Sequence, residues 1–179
     1  KKKDQAPAAT VEAEDGYSGM FPEILQWDER WGYSPYGTSI IAVSGCGPTC
    51  VSMLVVGLTG DKTVTPSVVA DYATQNHYVD ENNDTTWAFM TSGVEHWGLT
   101  CRESNGNESE IAKELEAGHP VICSMRPGDF TDIGHFIILT SYNNGNVTIC
   151  DPFSLENSKK SWNYSQISSQ IKAVWVYSK

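Results

Sequence analysis

The sequence of 179 residues predicts an α+β fold in which helices come first and an antiparallel sheet follows. Three observations lead to this prediction. Apolar residues recur at helical spacing in the earlier part of the chain, and short strand-like apolar runs dominate the later part. Between two of those runs, Asn143-Asn144-Gly145-Asn146 is typical of a tight hairpin turn that joins neighbouring antiparallel strands.

Four segments carry the helical signal. Residues 47–56 are mostly apolar and predict a buried helix. A Thr-Pro pair opens residues 65–76, as is typical of a helix cap followed by the first helical position. Apolar residues at helical spacing over residues 85–97 predict a third helix, and the amphipathic segment 107–117, which a glycine ends, predicts a fourth.

The strand signal is concentrated after the fourth helix. Each predicted strand is an apolar run bounded by polar or turn-forming residues, and one short strand precedes that helix. The predicted strands are residues 99–103, 120–125, 135–142, 147–150 and 173–177.

Residues 1–19 are predicted to be a disordered N-terminal tether, because they are rich in Ala, Glu and Asp and lack periodicity. Residues 20–179 then form one domain, which begins with an extended arm over residues 21–31. Because the chain begins with Lys1 rather than Met, we expect that a signal or anchor was removed. A tether of this kind predicts an exported bacterial protein, secreted or held at the cell surface by a membrane or cell-wall anchor.

The composition argues against several classes of partner. A formal net charge of −10 at pH 7 repels nucleic acid and anionic lipid. No run approaches the roughly 18 apolar residues that a membrane-spanning helix needs. No two histidines have the spacing of metal ligands, and Cys-x-x-Cys does not occur. We expect a monomer without nucleic acid, metal or cofactor.

Cys46 is the candidate nucleophile among five cysteines. It lies just before the first predicted helix, between Gly45 and Gly47. A helix N-terminus presents unpaired N–H groups and a positive dipole end that stabilise a thiolate, and flanking glycines let a substrate approach closely. The same position also suits a buried structural cysteine in a helix cap, so this motif alone leaves both interpretations open.

The other four cysteines are interpreted as structural. Cys50 lies one helical turn after Cys46 and is expected to pack in the core, with a resolving thiol as the alternative. Cys101, Cys123 and Cys150 lie in strand-like runs and are interpreted as small buried apolar residues. A disulfide between Cys101 and Cys123 on neighbouring strands is the alternative for that pair.

His135 and Asp151 supply the other groups that a thiol nucleophile needs. His135 opens an apolar strand after Gly134, which places its ring at a sheet edge, where it could take the thiol proton. Asp151 ends the strand that pairs with it through the hairpin, so the carboxylate could fix the imidazole tautomer; an Asp-Pro turn is the alternative. The remaining histidines are interpreted as surface or cap residues: His77, His96 and His119.

Five motifs in a fixed order make the prediction more specific. They are Gln26-Trp27-Asp28-Glu29-Arg30-Trp31, Ser44-Gly45-Cys46-Gly47-Pro48-Thr49, Gly118-His119-Pro120-Val121, Gly134-His135-Phe136-Ile137 and Asp151-Pro152. This pattern, over roughly residues 22–175, resembles the stand-alone relatives of the bacteriocin-leader (double-glycine) peptidases, within the papain-like superfamily. The resemblance implies a papain-like fold, in which the nucleophile lies on a buried helix packed against the C-terminal antiparallel sheet. It also implies that Cys46 is the nucleophile, His135 the base and Asp151 the third member of a triad.

The resemblance also implies an oxyanion hole. In the superfamily a glutamine shortly before the cysteine donates to the oxyanion, but residues 37–45 contain no Gln. Gln26 is the candidate substitute, beside the backbone N–H of Cys46, and a polar residue on the arm is the alternative. The candidates for substrate contacts are Gly45, Gly47, Trp87 and Gly134.

Three functions fit this set of residues. The first is a cysteine peptidase that acts on a peptide or protein through a thioester acyl-enzyme. The second is an acyltransferase or transpeptidase, in which an amine instead of water receives the acyl group. The third is a non-catalytic module with the same fold that binds peptide or cell-wall material. The presence of all three triad positions argues against the binding module. The peptidase and the transferase use the same triad, so the sequence does not separate them; the peptidase is our main prediction.

Overall fold

The structure is a computed structural model that describes residues 9–179, in which helices cover both faces of a six-stranded antiparallel sheet. The helices are α1 (Ile41–Ser44), α2 (Cys46–Thr59), α3 (Pro66–Gln75), α4 (Trp87–Thr91), α5 (Glu108–Glu116), α6 (Leu155–Ser158) and α7 (Tyr164–Ser168). Short 3-10 helices lie at Ala13–Asp15 and Gly93–Trp97. The strands are β1 (Tyr17–Ser18), β2 (Phe21–Pro22), β3 (Pro35–Tyr36), β4 (Ser39–Ile40), β5 (Thr100–Ser104), β6 (Val121–Met125), β7 (His135–Asn143), β8 (Asn146–Cys150), β9 (Trp162–Asn163) and β10 (Ile171–Ser178). The strand order is β5-β10-β6-β7-β8-β9.

The predicted α+β order is confirmed, and local signals explain the main boundaries. The side chain of Thr65 accepts a hydrogen bond from the Val68 N–H and so caps α3. Helix α2 ends at Gly60, whose φ of 77° is unstrained only for glycine. The hairpin between β7 and β8 turns at Asn144 and Gly145, with φ of 50° and 87°, the double positive φ that a type I′ turn requires.

Helix α2 is the central element of the core. It packs on one face of the sheet, against residues such as Ile122, Phe136 and Trp175, whereas α5 and α7 cover the opposite face. The side chains of β6 are buried on both faces, and its sequence Val-Ile-Cys-Ser-Met is correspondingly apolar in both directions. The start of α2 therefore lies above the middle of the sheet, beside the ends of β6 and β7.

The prediction of a disordered tether over residues 1–19 is wrong for the part that the structure describes; residues 1–8 lie outside it. Val11 is fully buried in the main core, and its N–H donates to Lys62 O at 2.9 Å. Asp15 forms an ion pair with Arg30, and Tyr17–Ser18 pairs with the strand that follows. One apolar side chain, one ion pair, backbone hydrogen bonds and a short strand pair hold this segment, so no periodic pattern marks it in the sequence.

All five cysteines are free thiols. Cys50, Cys123 and Cys150 are fully buried, as expected of small core residues, and Cys101 is partly buried. The alternative disulfide between Cys101 and Cys123 is wrong, because β10 lies between the strands that carry them. Among the described residues, no helix has the length and apolar character needed to cross a membrane.

Candidate active site

Cys46 is the first residue of α2 and is partly exposed. Close packing on both sides fixes its place. A Cβ added to Gly45 would lie 2.5 Å from Ile41 Cγ2, and one added to Gly47 would lie 2.1 Å from Thr85 Oγ1. Real Cβ atoms do not approach other atoms that closely, so only glycine fits at either position. Both glycines are buried and neither lines the cavity described below, so their predicted contact with substrate stays a prediction.

His135 is the first residue of β7, at the end of the strand nearest to Cys46. Its Nε2 lies 2.7 Å from Asp151 Oδ1, and only 8% of its side chain is exposed. Asp151 directly follows β8, and the register that pairs Ile138 with Cys150 brings its carboxylate to the imidazole. Since Nε2 is taken, Nδ1 is the ring nitrogen left to interact with the cysteine.

Four contacts hold Asp151, and its side chain is 1% exposed. Its Oδ1 accepts from the Phe153 N–H at 2.9 Å as well as facing His135, and its Oδ2 accepts from Asn157 Nδ2 at 3.0 Å. Its backbone N–H donates to Ser158 Oγ at 2.8 Å. A carboxylate this buried is stable as an anion only when its lone pairs are satisfied, which is the case here.

The electrostatics of the pair follow from these contacts. Burial alone would lower the pKa of His135, but hydrogen bonds to Asp151 and Cys46 and the negative charges of both residues outweigh it and raise the pKa to about 10. Burial alone would raise the pKa of Asp151, but the hydrogen bond and charge of His135, with the donors Asn157 and Phe153, lower it below its usual value. The arrangement therefore favours the charged imidazolium form of His135 beside the Asp151 carboxylate.

A cavity of about 630 Å³ opens between the helical part and the sheet, and Cys46 and His135 both line it. The volume lies within the usual range for a ligand site. Trp87 and Gly134 line it too, as the sequence suggested for substrate contacts. The other lining residues are Ser44, Asp80, Asn82, Asp84, Thr85, Thr86, Ser124, Ile133, Phe136 and Lys172.

Gln26 lies between the two halves of the site. Its backbone N–H donates to Pro152 O at 2.7 Å, next to Asp151. Its side chain reaches α1, where Nε2 donates to Ile41 O and Ala42 O, each at 3.3 Å. The amide is buried, its Oε1 has no hydrogen-bond partner, and Gln26 is absent from the lining of the cavity. In this arrangement Nε2 donates to α1, and the role of Gln26 as oxyanion donor stays a prediction.

Several contributors to the site were not identified from the sequence. Asn157 and Ser158, which hold Asp151, lie on the short helix α6 in a polar stretch without periodicity. The only local signal there was Ser154, which caps α6 by accepting from the Asn157 N–H. Thr85 and its buried partner Tyr36 carried no sequence signal, because their hydroxyls meet across 49 residues.

Comparisons with known proteins found a family match and similar solved structures. The sequence matches the model of the Peptidase_C39 like family over residues 17–179. The fold is similar to the peptidase domain of Streptococcus ComA, a bifunctional ABC transporter involved in a quorum-sensing pathway, with a TM-score of 0.53 at 13% identity over 76% of this chain and 93% of that chain. A protein assigned as a C39-like peptidase from Bacillus anthracis is 17% identical, with 96% of this chain and 98% of that chain covered and a TM-score of 0.49. No curated protein matches the chain.

Proposed function

This chain belongs to the Peptidase_C39 like family, and from that membership and the geometry of its cleft we propose that it is a cysteine peptidase in which Cys46, His135 and Asp151 form the catalytic triad. One observation carries the proposal. Cys46 and His135 reach the same cavity from opposite sides, and the His135 ring is bonded at 2.7 Å to a buried carboxylate. This is the set of groups that thiol-dependent acyl transfer requires.

In the proposed reaction the Cys46 thiolate attacks the carbonyl carbon of a peptide bond, and the C–S bond forms as the carbonyl π pair moves to oxygen. The tetrahedral intermediate collapses when the C–N bond breaks, and the His135 imidazolium gives its proton to the leaving amine. Neutral His135 then takes a proton from water, which attacks the thioester and releases the acid and the Cys46 thiol. Asp151 holds the imidazole in the required tautomer and stabilises its charged form.

The proposed substrate of this cleft is a peptide. Trp87 and Phe136 give the cavity an aromatic side. The ring of Trp87 also packs edge-on against that of Trp175, with 5.6 Å between the ring centroids. Asp80 and Asp84 give it an acidic side, with Lys172 also in the lining. The acidic side and the net charge of −10 favour peptides with a basic side chain. Export, surface attachment and a monomeric state stay predictions from the sequence.

The proposal is tested by thiol labelling together with peptide hydrolysis. Iodoacetamide should alkylate Cys46 at least about tenfold faster than any other thiol, because it alone combines exposure with an adjacent imidazolium. A fluorogenic peptide library should be hydrolysed by the wild type and by Cys101→Ala, a partly buried thiol outside the cleft, but not by Cys46→Ala. Slow, equal labelling of all five cysteines, with no hydrolysis of any peptide, would contradict the proposal.

The same experiment separates the alternative functions. If an added amine diverts the acyl group from water without changing the rate at which the peptide is consumed, the enzyme is a transferase that uses the same triad. If Cys46 reacts with no reagent and peptides bind without cleavage, the chain is a binding module.

A further inference from the structure

A β-bulge in β10 lies beside the cavity of the proposed active site. The partner of Met125 on β10 is Ile171, and the partner of the preceding β6 residue is Ala173. Lys172 is therefore an extra residue without a partner in this register. On a regular strand Ile171 and Ala173 would point to the same face of the sheet. Here Ala173 packs against the core cluster around α2, whereas Ile171 packs against the cluster on the opposite face, so the bulge interrupts the alternation of β10 at Lys172.

The bulge aims the side chain of Lys172 at the cavity. Lys172 and Trp87 both line it, and Lys172 Nζ lies 5.7 Å from the centroid of the Trp87 ring, within the range of a cation–π contact. The Trp87 ring is itself held edge-on by Trp175, which lies on the same strand as Lys172. Just before the bulge, the backbone is fixed because the Arg126 N–H donates to Gln170 O at 2.7 Å. Bulges are common beside active sites, where they redirect a side chain, and the side chain redirected here is a cation.

The ammonium group of Lys172 has no anionic partner within residues 9–179. No carboxylate of these residues lies within 4.0 Å of its Nζ, although the chain has a net charge of −10. The Trp87 ring covers one side of the ammonium, which has three N–H donors, so donors remain available to a ligand. Of the described residues that line the cavity, Lys172 is the only Lys or Arg. A cation fixed in a cleft without a counter-ion favours an anionic group of the ligand.

We propose that Lys172 is a specificity-determining residue that binds a carboxylate of the peptide substrate, a proposal that rests on the proposed peptidase function. The carboxylate comes from an acidic side chain or from the free C-terminus, and both present the oxygen atoms that an ammonium binds. Asp80 and Asp84 lie in the same lining and repel a carboxylate, so the preference should be confined to the one substrate position that reaches Lys172. The cleft then selects a peptide with charges of both signs, the acidic group toward Lys172 and the basic group toward the two aspartates.

Four variants separate the charge of Lys172 from its packing. Lys172→Met keeps an aliphatic stem beside Trp87 but removes the charge, Lys172→Arg keeps the charge, and Lys172→Glu reverses it. Lys113→Met is the matched control, because it removes one exposed positive charge from α5, which covers the opposite face of the sheet.

The probes are pools of internally quenched peptides with blocked ends, in which one position at a time is fixed as Glu or as Gln. A further pair of pools has Gln at the fixed position and either a free or an amidated C-terminus. The wild type should hydrolyse the Glu pool about fivefold faster than the Gln pool at a single position, as is reasonable for one charge pair in a partly solvated cleft. This preference should disappear in Lys172→Met, invert in Lys172→Glu, persist in Lys172→Arg and Lys113→Met, and shrink at high salt.

The terminal pools identify the source of the carboxylate. A preference for the free C-terminus that Lys172→Met abolishes would support the proposal and assign the bound group to the C-terminus. A wild type with neither preference would overturn the proposal. So would a preference that Lys172→Met retains, or one that Lys113→Met loses equally.

Two further measurements distinguish failure of this proposal from failure of the peptidase function. Iodoacetamide should alkylate Cys46 at the same rate in the wild type and in Lys172→Met; a slower rate that parallels lower hydrolysis of every pool would show that Lys172 acts on the nucleophile, and would overturn the proposal. If the wild type hydrolyses no pool, the peptidase function fails, and peptides from the same pools are titrated by calorimetry into Cys46→Ala and Cys46→Ala/Lys172→Met. Tighter binding of the peptide with the carboxylate, dependent on Lys172, would support a carboxylate site in a binding module, and equal binding would overturn it.

Discussion

The two sides of the cleft hold their catalytic groups by different physical means. On the helical side, Cys46 is positioned by shape, because Gly45 and Gly47 are packed so tightly that neither tolerates a Cβ. On the sheet side, His135 is positioned by polar contacts, through Asp151 and the residues of α6 that hold it: Asn157 donates to its carboxylate, and Ser158 accepts from its backbone N–H. From this difference we expect that one added methyl group on the helical side lowers kcat sharply. On the sheet side, kcat should fall in steps as the hydrogen bonds are removed one by one. The variants of Asp151, Gly47 and Asn157 below each break one of the two supports, and a variant of Asp84 tests the cavity between them.

Removing the carboxylate of Asp151 should have the largest effect. In Asp151→Ala the imidazole loses the partner that fixes its tautomer and stabilises its charge, so kcat should fall by about 10³-fold or more. In Asp151→Asn the side chain keeps its shape but loses its charge, and kcat should fall almost as far as in Asp151→Ala. Peptide hydrolysis with a melting curve for each variant checks this, and a variant that stays folded and fully active would remove Asp151 from the triad.

Adding one methyl group at Gly47 should be next in size. The new Cβ would meet Thr85 Oγ1 at 2.1 Å, so the start of α2 must shift, at about 1–3 kcal/mol in the free energy of unfolding and about 100-fold in kcat. Gly57→Ala is the matched control, because its Cβ would meet Phe21 Cδ1 at 2.1 Å near the other end of α2. It should lower stability by a similar amount and leave kcat nearly unchanged. Equal kcat in both variants would contradict steric positioning of Cys46.

One donor on the sheet side should give an intermediate loss. Asn157→Ala frees Oδ2 of Asp151, which should lower kcat about tenfold, in line with a lost hydrogen bond to a charged group. Ser154→Ala, which removes the cap of α6 without touching the carboxylate, is the control.

The pH dependence of the same variant has a definite sign. The pKa of Asp151 is lowered in the folded protein, so its stabilising contribution is present above the unfolded pKa and is lost as pH falls through the folded pKa. Without Asn157 that folded pKa rises. The acid limbs of activity and of unfolding should therefore move to higher pH in Asn157→Ala, and an unchanged acid limb would show that Asn157 does not tune Asp151.

The smallest expected effect concerns the acidic side of the cavity. Burial and the charge of Asp80 raise the pKa of Asp84. A Lys or Arg side chain of the substrate placed nearby would offset the repulsion between the two carboxylates and so strengthen binding. Asp84→Asn should lower kcat/KM severalfold for peptides containing Lys or Arg but not for neutral ones, and less at high salt. Glu81→Gln removes one charge from the same loop, outside the lining of the cavity, and should change neither. Equal effects of the two variants would assign the preference to net charge alone.

The sequence predicted what depends on local patterns. The apolar run of α2, the cap at Thr65 and the turn at Asn144-Gly145 each encode their own structure, so those elements were placed correctly. The register that the hairpin sets was enough to bring Asp151 to His135. Their assignment as a triad with Cys46 stays a proposal.

What the sequence did not predict depends on contacts between distant residues. The predicted helix over residues 85–97 is divided into α4 and a 3-10 helix, where Gly93 packs against the ring of Phe89. The attachment of Val11 to the core and the engagement of Gln26 by α1 are likewise tertiary. None of these leaves a periodic signal, because each depends on a single close approach.

The proposed pairing of Cys46 with His135 across the cleft is tested most directly by nitrogen NMR of the His135 ring. The pH titration is followed in the wild type and in Cys46→Ala. The pKa of His135 is raised, so the charged ring should persist well above pH 6.5 and titrate near pH 10 in the wild type. Its stabilising contribution should be present below the unfolded pKa and be lost as pH rises through the folded pKa. In Cys46→Ala the midpoint should fall, because the hydrogen bond and charge interaction with Cys46, which raise the pKa of His135, are lost. A midpoint near 6.5 that is the same in both proteins would contradict the proposed pairing of Cys46 with His135.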